Sequence, residues 1–187
     1  MVYDKNKKRP TASLRGMLIP LRCIRTSQAE HNVTKRGYGM DYEKYEEECK
    51  RIRKENKKLI AGFETWLSAK GLTQKTIDKH TSNADFYINE FLLYEDAIEA
   101  KDGAGEIGIF LGYWFIKKAM WANKSAIKEN ATSLKKFYRY LHEDGKVSEE
   151  AFSEMKETIK EDMPEWLATM GRYDDPNIED MEDVWGF

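Results

Sequence analysis

The segment Lys70–Leu92 reads KGLTQKTIDKHTSNADFYINEFL, and it combines a helix start with a one-sided helical pattern. Gly71 is suited to end a preceding helix, and Thr73 is suited to cap the N-terminus of the next one. Apolar residues then recur at helical spacing, at Ile77, Ala84, Ile88 and Phe91. The segment therefore predicts a helix from Thr73 to about Leu93, with one buried face and a polar face that carries two lysines.

The rest of the chain also favours helices. No proline occurs between Pro20 and Pro164, and no segment alternates strongly enough to build a sheet. Further helices are predicted at Asp41–Lys70, Glu106–Trp121 and Lys124–His142, from Ser148 onward, and from Pro164 to Met170. We expect an all-α fold, a small helical bundle of about five or six helices over residues 41–170. The third helix should be central, and the charged N-terminal half of the first should project from the bundle.

Charge is distributed unevenly along a chain that is nearly neutral overall, with 31 basic and 33 acidic residues among 187. Residues 1–40 contain nine basic and two acidic residues, whereas residues 143–187 contain four basic and fifteen acidic ones. We interpret 1–40 as a basic N-terminal arm that is partly ordered at most, and 171–187 as a loosely held acidic C-terminal tail. The arm indicates a polyanionic partner. The acidic tail would compete with that partner for the basic surface of its own chain.

Composition and short motifs argue against several other classes. Cys23 and Cys49 are too few and too far apart for a disulfide framework, and neither a secretory signal nor a membrane span is visible. We expect a cytoplasmic protein without a membrane partner. Cys23, His31 and Cys49 match no zinc-ligand spacing, and His80 lies near an apolar helix face, where a packed histidine is commoner than a catalytic base. No metal, cofactor or catalytic residue is predicted.

The predicted fourth helix carries a stripe of basic residues beside its apolar stripe. At 100° per residue, its cations fall within an arc of about 60°. They are Lys124, Lys128, Lys135 and Arg139. The second helix repeats the arrangement with Lys75 and Lys79, one turn apart. Cations with short polar donors between them are typical of phosphate binding, but a solvated lysine-rich face has the same pattern.

Several motifs between about residues 60 and 150 resemble, in order and spacing, the core-binding domain of tyrosine recombinases, the phage integrases. The motifs are Phe63, Trp66 and Leu67, then Gly71-Leu72-Thr73, Thr76-Ile77, Phe86 and Phe91, and finally Phe137-Tyr138, Leu141 and Gly145-Lys146-Val147. The resemblance implies a SAM-like helical bundle whose second and fourth helices lie against duplex DNA. Carried over by position, it implies DNA contacts from Thr73, Lys75, Thr76, Lys79, Lys124, Ser125, Lys128, Lys135 and Arg139.

The chemical machinery of that family has no match in this sequence. Recombinases need an arginine, a His-x-x-Arg step and a tyrosine nucleophile in a separate domain, and none of the three histidines here begins such a step. The resemblance therefore implies a non-catalytic module for DNA recombination, nucleoid-associated if it binds DNA, with a recombinase or another protein as a further partner. The alternative is a protein–protein adaptor that binds through the acidic C-terminal region with Trp166, Met170 and Trp185.

Overall fold

A computed structural model describes residues 37–178 and 180–185, with side chains from residue 42 onward. Most of the predicted basic arm at 1–40 lies outside these residues. The helices are α1 (Gly37–Ala69), α2 (Gln74–Phe86, continued by a π-helical turn at Tyr87–Phe91), α3 (a 3₁₀ turn at Gly103–Glu106, then Ile107–Ile109, a π-helical turn at Phe110–Trp114, and Phe115–Lys118), α4 (Lys124–Glu143), α5 (Glu149–Tyr173) and α6 (Met181–Trp185). The described residues contain no strand, and the predicted all-α bundle is confirmed.

The third helix forms the centre of the bundle, as its apolar composition predicts. Its fully buried side chains are Ile107, Phe110, Leu111, Phe115 and Ile116. Phe110 meets Tyr87 of α2 edge to face, with ring centroids 4.8 Å apart. The helix ends at Lys118, three residues before the predicted end at Trp121, because Ala119 adopts an extended backbone (φ −84°, ψ 112°). Met120 and Trp121 consequently lie in the turn between α3 and α4.

The N-terminal half of α1 contacts the bundle instead of projecting from it. Cys49 and Ile52 are buried against Leu93, which follows α2. The Tyr45 hydroxyl donates a hydrogen bond to the Leu93 carbonyl oxygen. A narrow apolar strip within a highly charged helix is enough to hold it against the bundle, and the prediction of a projecting half is wrong from Tyr45 onward.

Capping side chains fix the starts of two helices. Asn123 Oδ1 accepts a hydrogen bond from the Ala126 N–H at 2.9 Å, which caps α4. Ser148 Oγ accepts one from the Ala151 N–H at 3.2 Å, which caps α5 where the sequence predicts a start. Thr73 occupies the N-cap position of α2 with an extended backbone, but its side chain makes no capping hydrogen bond.

Pro164 does not begin a separate helix, which corrects the prediction of a short helix from Pro164 to Met170. α5 runs without interruption through this proline. A proline inside a helix removes one backbone hydrogen bond and crowds the preceding turn, at a cost of about 3 kcal/mol. Ile159 before the proline and Trp166 after it are both buried on the same bundle. Their burial offsets that cost and keeps the helix continuous.

The acidic segment after α5 is docked on the bundle, so the expectation of a loosely held tail is wrong for its described residues. Val184 is buried, and Trp185 Nε1 donates to the Gly112 carbonyl oxygen of α3 at 3.2 Å. Arg172 Nε of α5 donates to the Val184 carbonyl oxygen at 2.7 Å. The Trp185 ring also contacts that of Tyr113, with centroids 5.1 Å apart. Val184 and Trp185 therefore add apolar burial to the fold.

Candidate nucleic-acid interface

Helices α2 and α4 pack together through a small polar network. His80 Nδ1 lies 2.8 Å from Ser133 Oγ, which also accepts a hydrogen bond from Asn83 Nδ2 at 2.9 Å. The single hydroxyl proton of Ser133 is donated to the Glu129 carbonyl oxygen at 2.9 Å. The serine oxygen therefore accepts from the Nδ1–H of His80, which assigns the histidine tautomer from its partners. The network fixes the register of the two helices.

The two helices run antiparallel. Phe86 at the end of α2 contacts Trp121, which precedes α4, with ring centroids 5.3 Å apart. His80, earlier in α2, contacts Ser133 in the middle of α4. We call the exposed cations of these two packed helices the cation face. It consists of Lys75, Lys79, Lys128, Lys135 and Arg139, and all five side chains are exposed.

The α4 part of the cation face has no acidic partner within residues 37–178 and 180–185. Among the described residues, no carboxylate oxygen lies within 4.0 Å of the charged nitrogens of Lys128, Lys135 or Arg139. Within Lys124–Glu143 the only acidic residue before the last one is Glu129. These three cations are therefore available to an anionic partner.

The α2 part of the cation face is mixed. Lys79 Nζ lies 3.6 Å from Glu129 Oε2 across the seam, in an exposed ion pair. Lys75 is exposed and has no acidic partner within 4.0 Å in the part of the chain that the structure describes. An exposed pair of this kind is worth about 1 kcal/mol or less, so Lys79 can exchange Glu129 for a phosphate at small cost.

The remaining predicted contact residues are less well placed. Thr73 and Thr76 share a hydrogen bond between their hydroxyls at 3.0 Å. Ser125 Oγ donates to Glu129 Oε1 at 3.4 Å. Lys124 turns toward the end of α5. Its Nζ lies so close to Gly171 that a Cβ atom added to this glycine would be only 2.9 Å away. Lysine beside the C-terminus of a helix is favoured by the helix dipole, which separates Lys124 from the other three cations of its stripe.

Lys136 is a further cation at this surface that the stripe on α4 did not include. It is partly exposed on the side of α4 that faces α2. Burial lowers the pKa of His80, and the nearby charges of Lys136 and Lys79 lower it further, against a smaller opposite effect of Glu129. A neutral His80 is the form that fits beside these lysines. The sequence offered one indication of this residue, namely that Lys136 directly follows Lys135 of the basic stripe.

Cations elsewhere on the molecule are more often neutralised. Arg51 bonds Glu48 and Glu99, and Arg172 bonds Glu165 at 2.6 Å. These hydrogen bonds hold the pKa of each of the three carboxyl groups below its usual range. A cleft of about 370 Å³ near α1 contains four cations. They are Arg51, Lys58, Lys101 and Lys146, and each has an acidic partner. The cleft is therefore a poor anion site.

The described residues bring together no metal-ligand cluster and include no helix suited to a bilayer. Within residues 37–178 and 180–185, no three His, Cys, Asp or Glu side chains come together as metal ligands would. Cys49 is buried in α1, whereas Cys23 and His31 lie outside the described residues. In the same part of the chain, no helix has both the length and the apolar character that crossing a bilayer requires.

Comparison with protein-family models, with curated proteins and with solved structures found no match for this chain. The similarity to integrase core-binding domains therefore rests on the motifs of the sequence.

Proposed function

We propose that this protein is a non-catalytic module that binds duplex DNA through the cation face, in the manner of the integrase core-binding domains its sequence resembles. The observation that carries the proposal is a set of exposed cations on α4 that have no acidic partner among the described residues, namely Lys128, Lys135 and Arg139. They stand on one rigid helix, next to the lysines of a second helix in fixed register. The polyanion that such a surface recognises is a nucleic-acid backbone.

The dimensions of the cation face suit a DNA backbone. Lys128 and Arg139 are eleven residues apart, which is roughly 16 Å along a helix. That length corresponds to the rise of about five base pairs. Contacts of this type go to phosphates and carry no base information, so we expect weak binding with little sequence preference.

The adaptor hypothesis has less support. Trp166 and Met170, two of the three residues it relies on, are buried in the core. Trp185 is held between α3 and α5 by a hydrogen bond and by ring contacts. An adaptor would have to bind through other residues than these.

The test is a titration of duplex DNA at two salt concentrations with a charge-reversal variant. Lys128→Glu with Arg139→Glu should abolish binding, because both cations are exposed and neither is paired with a carboxylate in the part of the chain that the structure describes. For wild-type protein, the logarithm of the association constant plotted against the logarithm of the salt concentration should have a slope of about −4 to −6, because each phosphate neutralised contributes roughly −0.9. Exposed substitutions of this kind change stability by about 0.5 kcal/mol or less, so the fold should remain intact.

A matched control is available on α1. Lys50→Glu with Lys57→Glu makes the same change in net charge at two exposed lysines away from the cation face. This variant should keep most of the wild-type affinity. The proposal fails if wild-type protein does not bind at about 50 mM salt, or if the two double variants lose affinity equally.

A further inference from the structure

The turn between α3 and α4 exposes two large apolar side chains next to each other. Met120 is 81% exposed and Trp121 is 55% exposed. Only two other large apolar residues, Tyr42 and Tyr94, stand comparably open in the described part of the chain. A single exposed apolar residue needs no explanation, but an adjacent Met-Trp pair at a fixed turn marks a contact surface.

The turn is held in a defined shape. The Ala122 N–H donates to the Ala119 carbonyl oxygen at 2.9 Å, and Asn123 Nδ2 donates to the Trp121 carbonyl oxygen at 3.1 Å. The Trp121 ring leans on Phe86 and Phe115, with centroids 5.3 and 6.5 Å apart. The indole is thus pre-organised, and little conformational entropy is lost when its open face meets a ligand.

This turn lies at one end of the cation face. On α2, Lys75, Lys79 and Phe86 fall within an arc of about 40°, and Phe86 lies roughly 10 Å beyond Lys79 along the helix. Phe86 packs on Phe110 and Trp114 of α3 and also contacts Trp121, so the exposed indole stands at the end of α2, beyond Lys79 along the helix. A nucleic-acid strand whose phosphates follow the lysines would bring its next bases to the indole.

We propose that Trp121 stacks on an unpaired base, and that the preferred ligand is DNA in which a single-stranded gap adjoins a duplex. The inference rests on the proposed function and specifies its substrate class. Stacking of a base on an aromatic ring is tolerant of sequence, as is phosphate binding by the cation face. An unpaired base offers its ring face without the unstacking cost that an intact duplex imposes.

The test compares an intact duplex with the same duplex carrying a gap of several thymidines, using wild-type protein, Trp121→Ala and Trp121→Phe. Wild-type protein should bind the gapped DNA more tightly. Trp121→Ala should weaken gapped binding by about 5- to 150-fold and change duplex binding less than twofold, with an unchanged salt slope because no cation is removed. Trp121→Phe should restore most of the affinity. Tyr42→Ala, which removes an exposed aromatic ring from α1, should have no effect.

The outcomes separate this inference from the proposed function. If Lys128→Glu with Arg139→Glu weakens duplex binding but Trp121→Ala leaves gapped binding unchanged, only the stacking inference fails. If no DNA binds, both fail. A Met-Trp pair beside lysines also fits a membrane surface. Loss of binding to anionic phospholipid vesicles in Trp121→Ala, with gapped binding intact, would overturn stacking in favour of lipid.

Discussion

At the scale of single residues, His80 is the titratable group most tightly built into the seam between α2 and α4. It is 4% exposed, and the charged groups that face it are Lys79 on its own helix and Glu129 and Lys136 on α4. Burial and the two lysines lower the pKa of His80 below its ordinary value of about 6.5. The unfolded chain therefore binds a proton at a pH at which folded His80 does not.

This difference predicts a pH-dependent stability. Where the unfolded state binds more protons than the folded state, stability rises with pH. We expect Tm to fall as the pH is lowered from about 7.5 to 5.5, because the loss begins near the unfolded pKa of about 6.5. Thermal unfolding of His80→Gln over the same range should show a weaker dependence. An unchanged dependence in this variant would assign the effect to other groups.

At the scale of elements, two buried tyrosine hydroxyls anchor the connection between α2 and α3. Tyr87 Oη donates to the Gly103 carbonyl oxygen at 2.6 Å, and Tyr138 Oη of α4 donates to the Ala100 carbonyl oxygen at 2.9 Å. Burial raises the pKa of both phenols, which keeps them protonated as donors. The loop is thereby tied to the helices on both sides of it.

Removing either anchor should destabilise the fold measurably. Tyr87→Phe and Tyr138→Phe each remove a buried hydrogen bond, at an expected cost of about 0.5 to 1.5 kcal/mol in urea unfolding; the Ala100 carbonyl oxygen keeps the Gly103 N–H as a donor. Tyr140→Phe is the matched control. The Tyr140 hydroxyl is partly exposed and makes no hydrogen bond among the described residues. Equal losses in all three variants would show that the hydroxyls do not act as anchors.

Local signals in the sequence predicted the helices well where they act alone. Gly71 and Gly145 follow helices with φ of 77° and 69°, the conformation that favours glycine. The prediction at Pro164 was wrong because burial of the flanking side chains in the core outweighs the tendency of proline to break a helix. That burial depends on contacts between distant segments, which a local sequence pattern does not show. The projecting half of α1 was wrong for the same reason, since Leu93 lies 41 residues beyond Ile52 in sequence.

The candidate site could be predicted only in part. Periodicity placed Lys128, Lys135 and Arg139 on one face of α4, and the structure exposes all three. Periodicity within one helix could not show that Lys124 turns toward α5 or that Lys79 pairs with Glu129, because both contacts depend on how two helices pack together. Trp121 was missed because the predicted third helix included it, and apolar residues of a central helix are expected to be buried.

At the scale of the whole molecule, charge is segregated between neighbouring helices. Within Lys124–Glu143 there are five basic and two acidic residues, whereas within Glu149–Tyr173 there are three basic and seven acidic ones. Helix α5 is therefore rich in acidic residues, whereas the residues of the cation face lie on α2 and α4. Long-range electrostatic attraction should therefore orient the protein with its cation face toward an approaching polyanion.

The docked C-terminus leads to a prediction about the acidic tail. Deletion of residues 176–187 removes buried Val184 and the contacts of Trp185, including its packing on Tyr173. We expect a loss of about 2 to 4 kcal/mol in the free energy of unfolding, seen as a Tm lower by roughly 5 to 15 °C. Trp185→Ala should reproduce about half of that loss without removing a charge.

The same deletion distinguishes a tail that stabilises the fold from a tail that competes with DNA for the cation face. It removes four acidic residues, Glu179, Asp180, Glu182 and Asp183. Competition with DNA requires the tail to reach the cation face, but its docking residues contact α3 and α5. At physiological salt, dissolved ions screen the attraction between exposed charges that are more than about 8 Å apart. We therefore expect DNA affinity at that salt to change less than twofold while Tm falls. Tighter binding at low salt with an unchanged Tm would instead show that the tail leaves its dock and occupies the cation face.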